Sequence, residues 1–452
     1  MNFQSRLLKV IPGGAHTYSR GFDQFPNNAP QILQKGKGVY VFDDSNNEFL
    51  DYSMGLRSVN IGYSEPEIDE AAYLQIKNGN NLSRPSLIEL EAAELLVDLI
   101  DSVDMVKFTK NGSAAVSAAV KLARACTGRE IVARCAEQPF FSYDDWFIGS
   151  TPVIKGIPKD TITKTKTFHY NNIKSLIELI EQFPNEIACV VLEPASIECP
   201  SVGESTTGCC GQENCNRSYK EINSNYLQQV QNLCNKNGIV FILDEMITGF
   251  RWDIKGAQNF YNVTPDLCTF GKSMANGFSV ACVAGKREIM ELGSIEISGS
   301  ERVFLLSTTH GAEMSSLGAF TANVEFMKRN QVIKHQWNYG FKLMKMLKEK
   351  AIEHGIESSF IIGGVACSPT FATLDSNGIN SLELRTLFSQ EMIKMGILMP
   401  FISIAFRHTS EELDKTAEAI DSTFKVYSKA LEEGVSKYLM GPSIKPVFRK
   451  YN

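Results

Sequence analysis

The chain has 452 residues and a mass of 50.2 kDa, enough to bury a large core without disulfide or metal staples. Apolar residues make up 43% and charged residues 21%, which excludes global disorder. Lys and Arg number 45 against 51 Asp and Glu, a net charge of −6 with no basic block, and this argues against sequence-independent nucleic-acid binding. At about 150 residues per domain the length suggests about three units. Residues 1–60 open with the turn-rich Ile11-Pro12-Gly13-Gly14 and continue into a hairpin pattern, Gly38 to Phe42 and Glu48 to Tyr52 around Asp43-Asp44-Ser45-Asn46-Asn47. Leu87 to Ile100 has helical spacing through Leu87, Leu90, Ala93, Leu95 and Leu99. Val106-Lys107-Phe108 then reads as a short strand and Ser113 to Cys126 as an apolar-faced helix. Further apolar runs recur at Ile131–Ala133, Ala188–Leu192, Gly238–Leu243, Asp266–Phe270 and Ala281–Ala284. Such runs, separated by helical segments, predict an α/β fold with a doubly wound, mostly parallel sheet over residues 61–320. Beyond ~320 the pattern predicts a smaller α+β domain over 321–452. It has long helical stretches from Leu317 to Arg329 and on to Glu353, strand-like pieces near 360–374 and 397–407, and helices at 381–395 and 410–433.

The longest uninterrupted apolar runs, such as Ile187 to Leu192, fall far short of the ~20 residues of a membrane span. Met1 to Pro12 lacks a secretory apolar region, so the expected compartment is the cytoplasm. Of the 11 cysteines, Cys126, Cys135, Cys189, Cys268, Cys282 and Cys367 sit in apolar stretches and read as buried reduced thiols. The other five, Cys199, Cys209, Cys210, Cys215 and Cys234, lie in or near an insertion at about 203–219. Tight cysteine clusters hold zinc or iron–sulfur centres. Here the spacing is not a paired C-x2-C set and no histidine is near, so a loop is the preferred reading and no metal is expected.

Three short segments carry chemistry. The apolar strand Ile239 to Leu243 ends on Asp244-Glu245. In a doubly wound sheet, ligands lie beyond the carboxyl ends of the strands, so an Asp emerging there faces the crevice; a solvated loop or a helix cap is the plain alternative. Further on, Asp266 to Phe270 leads into Gly271-Lys272-Ser273, which places Lys272 twenty-eight residues after Asp244. A lone strand-end lysine is ordinarily a surface charge. At the same sheet end as a buried Asp it can form a Schiff base with an aldehyde cofactor, while the Asp holds a pyridine nitrogen protonated. The third segment is Lys110-Asn111-Gly112-Ser113, a turn at a helix N-terminus whose N–H groups and hydroxyl suit a phosphate. Together they describe a site for pyridoxal 5′-phosphate.

On these residues the chain resembles the class III aminotransferases of fold type I, and within them the glutamate-1-semialdehyde aminomutase-like group. The resemblance runs from Ile11-Pro12-Gly13-Gly14 to His408 through Thr416, with specific blocks at Leu243–Arg251, Gly271-Lys272 and Leu122–Arg129. It implies a homodimer with shared active sites. It implies that Lys272 is the Schiff-base lysine and proton shuttle, that Asp244 pairs with the ring nitrogen and that Met246 lies behind the ring. By the same resemblance Gly112 and Ser113 hold the phosphate, Phe140 stacks on the ring, and Glu193 of Glu193-Pro194 is the strand-end acid. Thr308, beside Thr309, reaches the phosphate of the neighbouring subunit. Arg20 falls where the mutases bind a substrate carboxylate, and Glu198 lies towards the substrate side.

The sequence departs from the family pattern in three places. Ala114 replaces the usual acid after the phosphate turn, and Phe140-Phe141-Ser142 replaces Tyr-His-Gly. The stretch Met399-Pro400-Phe401-Ile402-Ser403 lacks the carboxylate that faces substrate in true aminomutases. Gly14 to Arg20 and Tyr143 to Ser150 look like aminotransferases of amino-sugar and surface-polysaccharide biosynthesis. The expected activity is therefore amino transfer from an amino donor to a sugar-type or anionic carbonyl acceptor. Intramolecular aminomutase chemistry is the alternative, and a non-catalytic binding subunit of the same fold is the rival from another class.

Overall fold

The computed structural model describes residues 2–195, 198–202 and 225–452. The cysteine-bearing stretch with Cys209, Cys210 and Cys215 lies outside the described residues. The described strands, in chain order, are β1 (Leu33–Lys37), β2 (Tyr40–Asp43), β3 (Glu48–Asp51), β4 (Met105–Thr109), β5 (Ile131–Cys135), β6 (Thr165–Phe168), β7 (Ile187–Leu192), β8 (Val240–Asp244), β9 (Leu267–Phe270), β10 (Ala281–Gly285), β11 (Phe360–Val365), β12 (Ser368–Thr373) and β13 (Ile397–Leu398). The chain divides into two compact units, one of residues 57–60 and 66–333, the other of residues 1–56, 61–65 and 334–452.

The larger unit holds a seven-stranded sheet in the order β4-β10-β9-β8-β7-β5-β6. β5 to β9 are parallel, and β10 runs antiparallel to both of its neighbours. Every residue of β5, β7, β8, β9 and β10 is buried, which is why these strands read as continuous apolar runs without alternation. β6, Thr165-Lys166-Thr167-Phe168, carries no such run and is an addition to the expected strands. Helix Gly112–Thr127 packs on the sheet through small residues, among them Ala115, Ala118, Ala119 and Ala123. Asn111 caps its start by accepting from Ala114 N, and Gly128, at φ 67°, ends it.

Two expectations for this unit need correction. Cys126 is exposed, because it falls in the last helical turn, past the buried face that ends at Leu122 and Ala123. Helix Leu87–Leu99 forms as expected, yet it buries Ile88, Ala92, Leu96 and Leu99, and Leu87 and Leu90 are 70% and 55% exposed. Both stripes satisfy the 3.6-residue period, and packing selects one.

In the smaller unit β1, β2, β3 and β13 form a four-stranded sheet, with the expected hairpin pairing Tyr40 to Leu50 and β13 running parallel to β3. β11 and β12 pair separately, and Phe360, Phe371, Phe388 and Phe424 cluster there, the rings 4.8–5.1 Å from Phe360. The expected strand at 397–407 shrinks to Ile397–Leu398. Pro400 has no N–H to give a ladder, its carbonyl accepts from the Arg385 guanidinium at 2.5 Å, and Ser403 N donates to Tyr52 O at 2.8 Å. The C-terminal tail lies along the N-terminal segment: Arg449 pairs with Asp23, Lys445 N donates to Asp23 O, and Gln24 donates to Lys445 O. No helix among the described residues is long and apolar enough to cross a membrane.

Gly340 meets the backbone carbonyl of Ala366 so closely that a Cβ there would overlap it. Backbone cannot rotate away as a side chain can, so Gly340→Ala is expected to destabilise the protein by about 3 kcal/mol. Chemical denaturation followed by circular dichroism checks this; a midpoint equal to that of the unmodified protein would refute the close packing.

Candidate active site

β8 delivers Asp244 to the carboxyl end of the sheet, where it is buried. Its Oδ1 accepts from Met246 N at 3.0 Å and from the Thr269 hydroxyl of β9 at 3.1 Å. Burial pushes its carboxyl pKa up to about 6, against the opposing pull of the Lys272 charge. The adjacent Glu245 has a different fate. Its carboxylate accepts from the Thr248 hydroxyl at 2.6 Å and from Ala257 N and Gln258 N at 2.8 Å. It is consumed in holding the chain that follows β8, so the acidic pair splits into one group for the site and one for the fold.

Lys272 follows β9 with φ 41°, a left-handed conformation uncommon for a residue with a long side chain. Buried partners hold that turn. Ser273 donates to Arg57 O at 3.2 Å and accepts from Arg251 Nη2 at 2.8 Å. The same Arg251 nitrogen reaches Arg57 O at 3.1 Å. Asn323 Nδ2 donates to Ser273 O and Met274 O at 3.0 and 2.9 Å. Burial lowers the Lys272 pKa. Asp244 and Glu193 oppose that shift, and Arg57 and Arg251 add to it. The amine is thus drawn towards its neutral, nucleophilic form.

Met246 joins the three chemical segments. It packs with Ala115 and Ala281, and a Cβ on Gly112 or on Gly271 would stand 2.7 or 2.6 Å from its sulfur. Glycine is required at both positions because the thioether fills the space. At the start of helix Gly112–Thr127, Ser113 is buried, and its hydroxyl accepts from Tyr143 N at 3.2 Å. The Ser142 hydroxyl lies 2.9 Å from that of Ser117, to which Trp146 Nε1 also donates. The segment after Phe141 is therefore docked on the first turns of the helix. Phe141 is core, 2% exposed, whereas Phe140 is 47% exposed, edge-on to Phe147 at 5.8 Å.

Glu193 is buried at the end of β7. Its backbone N–H and C=O pair with the Gln138 amide at 2.7 and 2.9 Å, and its charge acts on both Lys272 and Arg57. Thr308 is exposed, in a turn closed by Gly311 N donating to Thr308 O at 3.3 Å. Glu198 is exposed and accepts from Asn171 Nδ2 at 3.3 Å. Arg20 belongs to the smaller unit, where it is exposed and lines a cavity of about 790 Å³ together with Asp51, Tyr63, Pro400 and Phe401. Within the larger unit, Asp244, Lys272, Gly112, Met246 and Glu193 are thus linked by contact or charge. The sequence reading assigned no role to Arg251, Ser273, Asn323 or Gln138. Arg251 closes the Leu243–Arg251 block, the one signal that could have drawn attention to it.

The donor set fits pyridoxal phosphate. A buried carboxylate with a raised pKa matches a protonated ring nitrogen, and a half-buried amine with a lowered pKa matches an aldehyde. The first-turn N–H groups of a helix, without partners inside it, match a phosphate. The pKa of Asp244 carries a stability consequence. Between the ordinary value of 3.8 and about 6 the folded state holds a proton that the unfolded chain has lost, so stability falls as pH rises through that window. Without cofactor, Asp244→Asn is expected to raise the thermal midpoint near pH 8, with the gap closing towards about pH 4. Calorimetry of both proteins across this range decides it, and a midpoint lowered by the substitution near pH 8 would refute it.

A family model for class-III aminotransferases matches residues 23–199 and 215–361. Glutamate-1-semialdehyde 2,1-aminomutase of Fusobacterium nucleatum subsp. nucleatum is 28% identical, over 94% of this chain and 97% of its own. The 3-aminobutyryl-CoA aminotransferase of Cloacimonas acidaminovorans is 30% identical over 95% and 98%. Among solved structures, the PLP internal aldimine form of the Sphingopyxis sp. MTA144 FumI protein superposes with a TM-score of 0.81 at 22% identity, covering 95% of this chain and 96% of its own. An omega-transaminase from Sphaerobacter thermophilus gives 0.78 at 23%, over 94% and 97%. The curated relatives agree with the glutamate-1-semialdehyde aminomutase-like group, and the solved structures share the fold. The chain belongs to the class-III aminotransferase family, the pyridoxal 5′-phosphate-dependent enzymes of fold type I that move an amino group from an amino donor to a carbonyl acceptor.

Proposed function

We propose that this aminotransferase is a cytoplasmic homodimer with shared active sites whose acceptor carries an anionic group or a sugar-type skeleton. The observation that carries the catalytic reading is the pairing of a buried Asp244 with a half-buried Lys272 on adjacent strand ends. Pyridoxal phosphate, when bound, supplies the electron sink and carries the amino group between the two substrates. Lys272 Nζ, drawn towards its neutral form, is the amine that anchors the cofactor and then lifts and returns the substrate proton. Asp244 accepts the ring N–H, and a cation at that point returns its pKa towards the ordinary range and keeps it ionised. Gly112 and Ser113 receive the phosphate. The Ser113 hydroxyl accepts from Tyr143 N, which leaves its own O–H to donate. Met246 and Phe140 would pack against the ring, and Glu193 balances the cationic charge of Lys272 and Arg57. Thr308 reaches the phosphate in the partner subunit, and Arg20 and Glu198 orient substrate.

Three observations bear on the acceptor. The 3-aminobutyryl-CoA aminotransferase relative has a name that pairs an amine with an anionic carrier. Met399 to Ser403 presents no carboxylate, and Arg20 lines the same cavity as Pro400 and Phe401. Intramolecular aminomutase chemistry is the second reading, favoured by the mutase relatives.

Borohydride reduction of the cofactor-loaded protein is expected to leave the cofactor on the peptide containing Lys272, and Lys272→Ala should retain the fold and lose turnover. Attachment at another lysine, found by peptide mass spectrometry, would reject the assignment. Arg20→Ala is expected to lower kcat/KM by ~10- to 150-fold with an anionic partner and to spare a neutral amine donor. Steady-state kinetics on a substrate panel tests this, and efficient conversion of glutamate-1-semialdehyde to 5-aminolevulinate would favour the second reading. Mixing Lys272→Ala with Thr308→Ala subunits places both defects in one site and neither in the other, so activity should partly return. Its absence after verified subunit exchange would argue that the sites are not shared.

A further inference from the structure

The loop that carries Thr308 is tied upstream to the helix that follows the phosphate turn, and downstream to Asn80 and Asn81 and, through Glu313, to Lys110 of the turn. Upstream, Lys121 of helix Gly112–Thr127 donates to Phe304 O at 3.2 Å. Downstream, Asn81 Nδ2 donates to Thr309 O at 3.1 Å and lies 3.3 Å from His310 Nδ1. Glu313 then makes the central junction. One carboxylate oxygen pairs with Lys110, and the other accepts from Asn80 Nδ2 at 2.8 Å. Asn80 also accepts from Ser315 N through its side chain at 3.0 Å and from Met314 N through its carbonyl at 2.9 Å. It does so with φ 54°, a conformation that Asn tolerates better than most side chains. Lys110 in turn stands immediately before Asn111, the cap of the phosphate-facing helix, and its carbonyl accepts from Ser279 at 2.7 Å. Between these anchors Gly311 leaves room for the Thr308 hydroxyl, which a Cβ at that position would overlap.

Lys110 is the cation nearest in sequence to the phosphate turn, yet its ammonium is engaged by Glu313. It therefore contributes geometry more than phosphate charge. We propose that Asn80, Glu313 and Lys110 form a positioning clamp that couples the phosphate turn of one subunit to its Thr308 loop and sets the Thr308 hydroxyl for the cofactor phosphate held by the partner subunit. The proposal rests on the reading that Thr308 contacts that phosphate. None of the three need touch the cofactor; they act through Thr308, so their effect depends on that hydroxyl being present.

The test is a double-mutant cycle on cofactor affinity, read by titrating pyridoxal phosphate into stripped protein and following visible absorbance, with thermal midpoints of the stripped proteins measured alongside. Glu313→Gln removes the charge of the junction. Asn80→Gly removes the amide and keeps the left-handed backbone accessible. Each is expected to weaken cofactor binding, Glu313→Gln by ~10-fold. In a Thr308→Ala background the further loss should shrink to under ~2-fold. If Glu313→Gln costs as much with Thr308→Ala as without it, or if it lowers the thermal midpoint and leaves cofactor affinity unchanged, the clamp is only a structural contact and the proposal is overturned. Unchanged affinity in Thr308→Ala alone overturns the Thr308 reading, and the clamp with it.

Discussion

Burying a carboxylate and an amine together at the end of a parallel sheet is unfavourable unless each group stabilises the other's charged form or a third partner arrives. Asp244 and Lys272 show this tension. Burial raises the acid and lowers the base, and each one's charge pulls the other back. The site is therefore strained electrostatically in the direction that a protonated ring nitrogen and an aldehyde would relieve. A ligand that relieved it would raise local stability through the same two side chains.

The backbone around Lys272 carries a second form of the same constraint. A lysine at positive φ persists only where its surroundings over-determine it. Here Ser273, Arg251, the Arg57 carbonyl and Asn323 supply the determination from three distant stretches of chain. Met246 adds a steric one, since its sulfur forbids any side chain at Gly112 or Gly271. The turn at Gly112, Asp244 and Lys272 are thus fixed relative to one another by packing as well as by the sheet. Charge alone, acting over several ångströms, would not hold them at catalytic precision.

The smaller unit solves a different problem, which is to hold a segment with little regular structure. Residues 12–24 contain only short 3-10 turns, yet Arg20 belongs to them. The tail's contacts with Asp23 and Gln24 supply hydrogen bonds that such a segment cannot make within itself.

Much of the larger unit was legible from residues alone. Strands buried on both faces must be apolar throughout, so β5, β7, β8, β9 and β10 announce themselves, and polar groups at their ends stand out against that background. Asp244 and Lys272 are visible for this reason. β6 is not, because its Thr and Lys carry no such run. Nor is the buried face of Leu87–Leu99, where two stripes obey one period and only the neighbouring surface chooses between them. Asp244 and Glu245 look alike in sequence; tertiary structure alone gives one to the site and the other to Thr248, Ala257 and Gln258. The separate roles of Arg251, Asn323 and Glu313, and the joining of residues 1–56 with 334–452 in one unit, depend on contacts between residues tens to hundreds of positions apart. Local pattern reports the period of an element and the polarity of its ends. It carries no record of which distant hydrogen-bond partner will satisfy a buried group, because that choice is made only when the chain packs.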